Sequence, residues 1–90
     1  MIQTGENKME EIYIVIKKQN GKMNDVFTTR SLLEAITNYK GFMMNTTDKD
    51  VIYSRTYIDE ADDIRTALDS QKFCIFQENN KECIIAYAEI

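Results

Sequence analysis

KFCIFQENNKECIIAYA, residues 72–88, is the stretch whose reading decides the fold of this chain. Two runs rich in β-branched, aromatic and other apolar residues flank Asn79-Asn80, and asparagine tolerates the left-handed backbone that a tight hairpin turn needs. With those two residues as the loop, Glu78 pairs with Lys81 and Phe76 with Cys83. One face of the hairpin then carries Cys74, Phe76, Cys83, Ile85 and Tyr87, and the other carries Phe73, Ile75, Ile84, Ala86 and Ala88. A sheet with one wet face shows polar residues at every second position. Here both faces are apolar, so either helices cover both sides or one side meets another protein. Few helices are in prospect, and the pattern therefore predicts an oligomer or partner contact through Cys74, Phe76, Ile85 and Tyr87.

Outward from the hairpin the same logic recurs. Ile12, Ile14 and Ile16 alternate with Tyr13, Val15 and Lys17, a period of two that predicts a strand. Asn20-Gly21 supplies a type I′ turn, and a return strand from Met23 to Thr28 places Val26 near Val15. Ser31-Leu32-Leu33-Glu34 fits a capping box and opens a helix with the stripe Leu32, Ile36 and Tyr39, widened by Leu33. Gly41 is placed to close it, ahead of Phe42, Met43, Met44 and the polar loop 45–50. Val51 to Tyr57 alternates again, with Tyr53, Arg55 and Tyr57 on one face of an expected strand. Asp59 is placed to cap a second helix, with the stripe Ala61, Ile64, Ala67 and Leu68. The expected product is one small α+β domain over residues 9–90, with a loose arm at 1–8. Its order is β-β-α-β-α-β-β, a mostly antiparallel sheet with two helices packed on it.

Composition narrows the chemistry. The chain has 90 residues, eleven Lys plus Arg against fifteen Asp plus Glu, a net charge of −4 and no His, Pro or Trp. Without histidine the usual neutral-pH general base and commonest metal ligand are missing. The acidic balance argues against direct nucleic-acid binding, which needs clustered Lys and Arg. Cys74 and Cys83 sit diagonally on one predicted face, ~7–8 Å apart and outside disulfide geometry. Their flanking residues are apolar, so buried unreactive thiols are expected. No apolar run approaches the ~18–20 residues of a membrane span. A reduced, cytoplasmic protein without cofactor or metal is the expectation.

The most conspicuous cluster is Asp59, Glu60, Asp62 and Asp63, joined in the same half by Asp48 and Asp50. Up to Thr47 the chain has six basic and five acidic residues, net +1; beyond it five basic and ten acidic, net −5. Carboxylates in a helix's first turn complement its dipole, by about 0.3–1 kcal/mol each. They also form an acidic surface suited to a basic partner. The cluster has neither the loop length nor the central glycine of a calcium motif. Tyr53, Arg55 and Tyr57 on one strand face could stack a base or hold a phosphate, though cross-strand packing explains the same pattern.

The profile favours a non-catalytic protein-binding module, a small acidic inhibitor of a basic nucleic-acid-handling partner. The concrete form is a phage or mobile-element anti-defence protein, anti-CRISPR-like, that is also a homodimer. The alternative is a small-ligand or nucleotide-sequestering homo-oligomer using the Tyr53, Arg55 and Tyr57 face.

Overall fold

The computed structural model describes residues 10–55 and 58–89, apart from the side chains of Ile58 and Asp59. Seven elements follow in order: β1 (Glu11–Gln19), β2 (Lys22–Thr29), α1 (Leu32–Met44), α2 (Lys49–Ser54), α3 (Ile58–Gln71), β3 (Phe73–Glu78) and β4 (Lys81–Glu89). The four strands form one antiparallel sheet in the order β2-β1-β4-β3. The α+β class holds, with strands paired as two hairpins and helices between them.

The second hairpin has the register its turn dictates: Glu78 opposite Lys81 and Phe76 opposite Cys83. Asn79 takes φ 56° at the turn. In the first hairpin Asn20 and Gly21 both have positive φ, 55° and 76°, as a type I′ turn requires. A register shift between Lys17 and Lys18 then moves the return strand by one residue. Val26 consequently faces Ile16, and Phe27 takes the place opposite Val15. The two turns lie side by side, joined by Asn20 N–H to the Asn80 carbonyl at 2.8 Å and by the Asn80 side-chain amide to Asn20 Oδ1 at 2.6 Å.

Ser31 caps α1, its hydroxyl accepting from the Glu34 N–H at 3.2 Å. The return half of the capping box is relayed: Ser31 N–H donates to Thr29 Oγ1, whose hydroxyl donates to the Glu34 carboxylate. The helix does not stop at Gly41. It runs to Met44 and ends on Asn45 in the left-handed region, φ 58°. Gly41 instead admits the chain that follows, since a Cβ there would lie 2.8 Å from the Thr46 carbonyl oxygen. Ile36 and Tyr39 face the core together with Ala35, while Leu33 is 60% exposed and does not widen the stripe.

The expected strand at Val51–Tyr57 is replaced by a short helix over its first part. Asp48 accepts from the Asp50 N–H at 3.0 Å and caps α2, and Ser54 Oγ donates to the Val51 carbonyl at 2.7 Å. Val51, Ile52 and Tyr53 are consecutive and the polar Ser54 and Arg55 follow, so a strand here has no continuous apolar face to bury. A capped turn of helix buries Ile52 at 2% exposure and leaves Val51 and Tyr53 outside. Thr56 and Tyr57 lie outside the described residues. In α3 the first described turn already contains Asp59 and Glu60, so Asp59 is a helical residue and not the cap.

The core is a single layer between sheet and helices. Tyr13 and Val15 from β1, and Cys83, Ile85 and Tyr87 from β4, pack on Ala35, Ile36 and Tyr39 of α1 and on Ile64 and Leu68 of α3. Tyr39 stacks on Phe76 with ring centroids 4.0 Å apart. The hairpin face of Cys74, Phe76, Ile85 and Tyr87, expected to be an oligomer contact, is therefore the inner face, covered by this chain's own helices. Both thiols lie there: burial pushes Cys83 up to about 11, raises Cys74 as well, and keeps the two protonated at neutral pH.

Candidate binding surfaces

All helices lie on one side of the sheet, and among the described residues nothing covers the other side. Its residues follow from the register. Val26, Ile16, Ile84 and Ile75 form one row across the four strands. Thr28, Ile14, Ala86 and Phe73 form the next, and Ile12 opposite Ala88 extends it. At the turn end the row is Met23, Lys18, Glu82 and Gln77, polar at its centre: Lys18 lies opposite Glu82, in an ion pair at 3.6 Å, and Gln77 accompanies Glu82 through a 2.6 Å hydrogen bond. Among the described residues, four of the seven large hydrophobics that stand exposed belong to this face: Met23 at 64%, Val26 at 46%, Phe73 at 43% and Ile75 at 52%. Contiguous apolar faces of this kind are characteristic of interaction surfaces.

The acidic residues lie on the helical side and do not act as one group. Asp48 is engaged as the α2 cap. Glu60 is held by Lys40, whose ammonium is 3.0 Å from both carboxylate oxygens. Asp50, Asp62 and Asp63 are exposed and, among the described residues, have no cationic partner. The Asp59 side chain lies outside the described residues. Because α3 starts by Ile58, Asp62 and Asp63 fall in its second turn, beyond the reach of the N-terminal dipole.

Tyr53, Arg55 and Tyr57 do not share a strand face. Tyr53 stands on α2, 47% exposed, and Arg55 is the exposed residue that ends the helix. Tyr53 lines an open groove of about 1020 Å³ between β2, α1 and α2, together with Phe27, Leu33, Asn38 and Phe42. Asn38 Oδ1 in that lining is buried without a hydrogen-bond partner. Among the described residues no group of three Cys, Asp or Glu side chains converges as a metal site would require.

The strongest electrostatic arrangement joins residues far apart in sequence. Arg65 of α3 reaches β1, its Nη2 3.0 Å from Glu11 Oε1 and its Nη1 2.5 Å from the Tyr13 hydroxyl. Tyr13 and Tyr87 donate to the same carboxylate at 2.9 and 3.2 Å. Arg65 and Lys72 also sit over the Tyr87 ring, 5.6 and 5.1 Å from its centroid. Two buried tyrosines on one face of a sheet need partners for their hydroxyls, and that was the signal available in the sequence.

The Arg65 hydrogen bonds, then that from Tyr13, hold the Glu11 carboxyl down to about 2 from an ordinary 4.5. A depressed carboxylate stabilises the fold above its unfolded value, and the contribution is lost as pH falls from about 4.5 towards 2. The side chains are more than a third exposed, so solvent screening leaves about 1 kcal/mol. Urea midpoints at pH 7 and pH 2.5 check this. The wild type should lose more stability between them than Glu11→Gln, and equal losses would remove Glu11 from the acid response.

Comparison with protein-family models, with curated proteins and with solved structures finds no significant match. Among the described residues no helix is long and apolar enough to cross a membrane.

Proposed function

We propose that this protein is a non-catalytic binding module, a small acidic inhibitor that occupies a basic surface of a nucleic-acid-handling protein through its helical side. An anti-defence role of the anti-CRISPR kind fits that description. The observation that carries the reading is the position of Asp62 and Asp63. Helix capping accounts for Asp48, and an ion pair accounts for Glu60. Neither accounts for the two exposed carboxylates in the second turn of α3, which have no cationic partner among the described residues. A partner bringing Lys and Arg would pair with them and be steered by the −5 half of the chain.

Affinity capture from native host lysate with the immobilised chain tests the proposal. The wild type should retain a basic protein that elutes as salt shortens the screening length below ~10 Å. Asp50→Lys, Asp62→Lys and Asp63→Lys together leave the cap and the Lys40–Glu60 pair intact while moving net charge from −4 to +2. This variant should lose the captured protein at least tenfold. Equal capture by both proteins would sink the acidic reading.

The groove beside Tyr53 supports a second reading, a small-ligand or nucleotide binder, because its lining includes Asn38, whose buried Oδ1 lacks a hydrogen-bond partner. A nucleotide present at 100 times its Kd would stabilise the fold by about 2.7 kcal/mol in a thermal-shift screen. A flat screen would remove this reading.

A further inference from the structure

The open sheet face has a symmetry that identifies what covers it. We propose that two copies of this chain associate face to face through it, about a two-fold axis parallel to the strands and midway between β1 and β4. That axis lays β1 of one copy over β4 of the other, and β2 over β3. Apolar rows then meet apolar rows: Ile16 over the second copy's Ile84, Ile14 over its Ala86, and Val26 over its Ile75.

The choice of axis rests on the polar pair at the centre of the turn-end row. Lys18 and Glu82 are neighbours within one chain, opposite each other in the β1–β4 ladder. The parallel axis sets Lys18 over the second copy's Glu82 and Glu82 over its Lys18, a square of alternating charge. An axis across the strands would instead set Lys18 over Ile12 and Glu82 over Ala88, pressing charges against apolar side chains. Only one of the two face-to-face arrangements is electrostatically self-complementary.

Size agrees with a modest assembly. Four strands ~4.8 Å apart and about 20 Å of strand give a footprint of about 400 Å² per copy. With its rim the interface approaches about 1,000 Å² in total, the small end of specific interfaces. An interface of this size fits a weak, reversible dimer. The contact leaves the helical side outward in both copies, so the proposal does not depend on the acidic partner.

Sedimentation equilibrium of the full chain from about 10 µM to 1 mM should show a monomer–dimer equilibrium. Ile75→Lys and, on the opposite edge, Val26→Lys should each give monomers with unchanged circular dichroism. Lys18→Glu and Glu82→Lys separately place four like charges in the square and should each weaken the dimer about tenfold. Mixed one to one, they restore alternation across the axis, and the heterodimer should regain wild-type affinity although each chain keeps its internal repulsion. A monomer throughout the concentration range would overturn the proposal and leave the face to a different protein. A dimer that survives both edge variants would overturn the choice of face. Loss of dimer in the edge variants without recovery in the mixture would overturn the axis.

Discussion

Replacing Ile85 by aspartate should abolish the folded state, while the same replacement at its neighbour Ile84 should leave a cooperative fold. The two residues are adjacent in β4 and equally apolar, yet they point to opposite sides of the sheet. Ile85 is 0% exposed among Tyr39, Leu68 and their neighbours, where a carboxylate has no partner. A carboxyl group there costs several kcal/mol even when protonated, because its oxygens are buried without hydrogen-bond partners. A domain of this size holds only about 5–10 kcal/mol in all. Ile84 is half-buried on the open face, where an added carboxylate keeps its water, and the loss should stay below about 2 kcal/mol. Circular dichroism and urea titration of both variants check the contrast. A folded Ile85→Asp protein would mean that the inner face has been assigned to the wrong side.

Leu68→Ala should be the most damaging truncation in the helical layer. Leu68 is 0% exposed, and its loss removes transfer free energy and leaves a cavity between α3 and the sheet. The expected cost is about 2–5 kcal/mol. At about 4–8 °C per kcal/mol for a domain of this size, the melting temperature should fall by at least about 10 °C. A fall of less than a few degrees would show that α3 is docked mainly by the Arg65–Glu11 contacts and not by packing.

Much of the fold was written in local chemistry. Asn20-Gly21 and Asn79-Asn80 each permit a two-residue turn, and a two-residue turn leaves one register, so Phe76 opposite Cys83 could be read directly. The bulge at Lys17 could not, because nothing in Lys17-Lys18 or Asn24-Asp25 marks an extra residue. Val51-Ile52-Tyr53 failed for a different reason. The alternation of Val51, Tyr53, Arg55 and Tyr57 with Ile52, Ser54 and Thr56 satisfies a strand pattern, but the decisive groups were polar: the Asp48 carboxylate and the Ser54 hydroxyl bond locally to the backbone and hold a turn of helix. That change also dissolved the Tyr53, Arg55 and Tyr57 face.

The hairpin with two apolar faces was recognised as having more hydrophobic surface than two helices can cover. Which face the helices take is settled by tertiary packing, and the size of Tyr87 and Ile85 against Ala86 and Ile84 does not announce it. The Glu11–Tyr13–Arg65–Tyr87 cluster spans residues far apart in the chain. No spacing rule links Glu11 to Arg65, and only the need of buried tyrosine hydroxyls for partners hinted at it.

The strand order carries a consequence for how the molecule is made. β4 is the last strand in sequence but lies at the centre of the sheet, between β1 and β3. It contributes Cys83, Ile85 and Tyr87 to the core and pairs with β1 along its whole length, from Glu11 opposite Glu89 to Gln19 opposite Lys81. A chain emerging from the ribosome can form the β1–β2 hairpin and α1 early, but the inner edge of β1 stays without its neighbour until residues 81–89 appear. Closing so long a loop is slow, and an unpaired apolar edge recruits other strands in the meantime. Synthesis of this protein therefore passes through a window of exposure that ends abruptly with one strand. A stall just before Lys81 would leave the β1–β2 hairpin, an unpaired β3 and no common core.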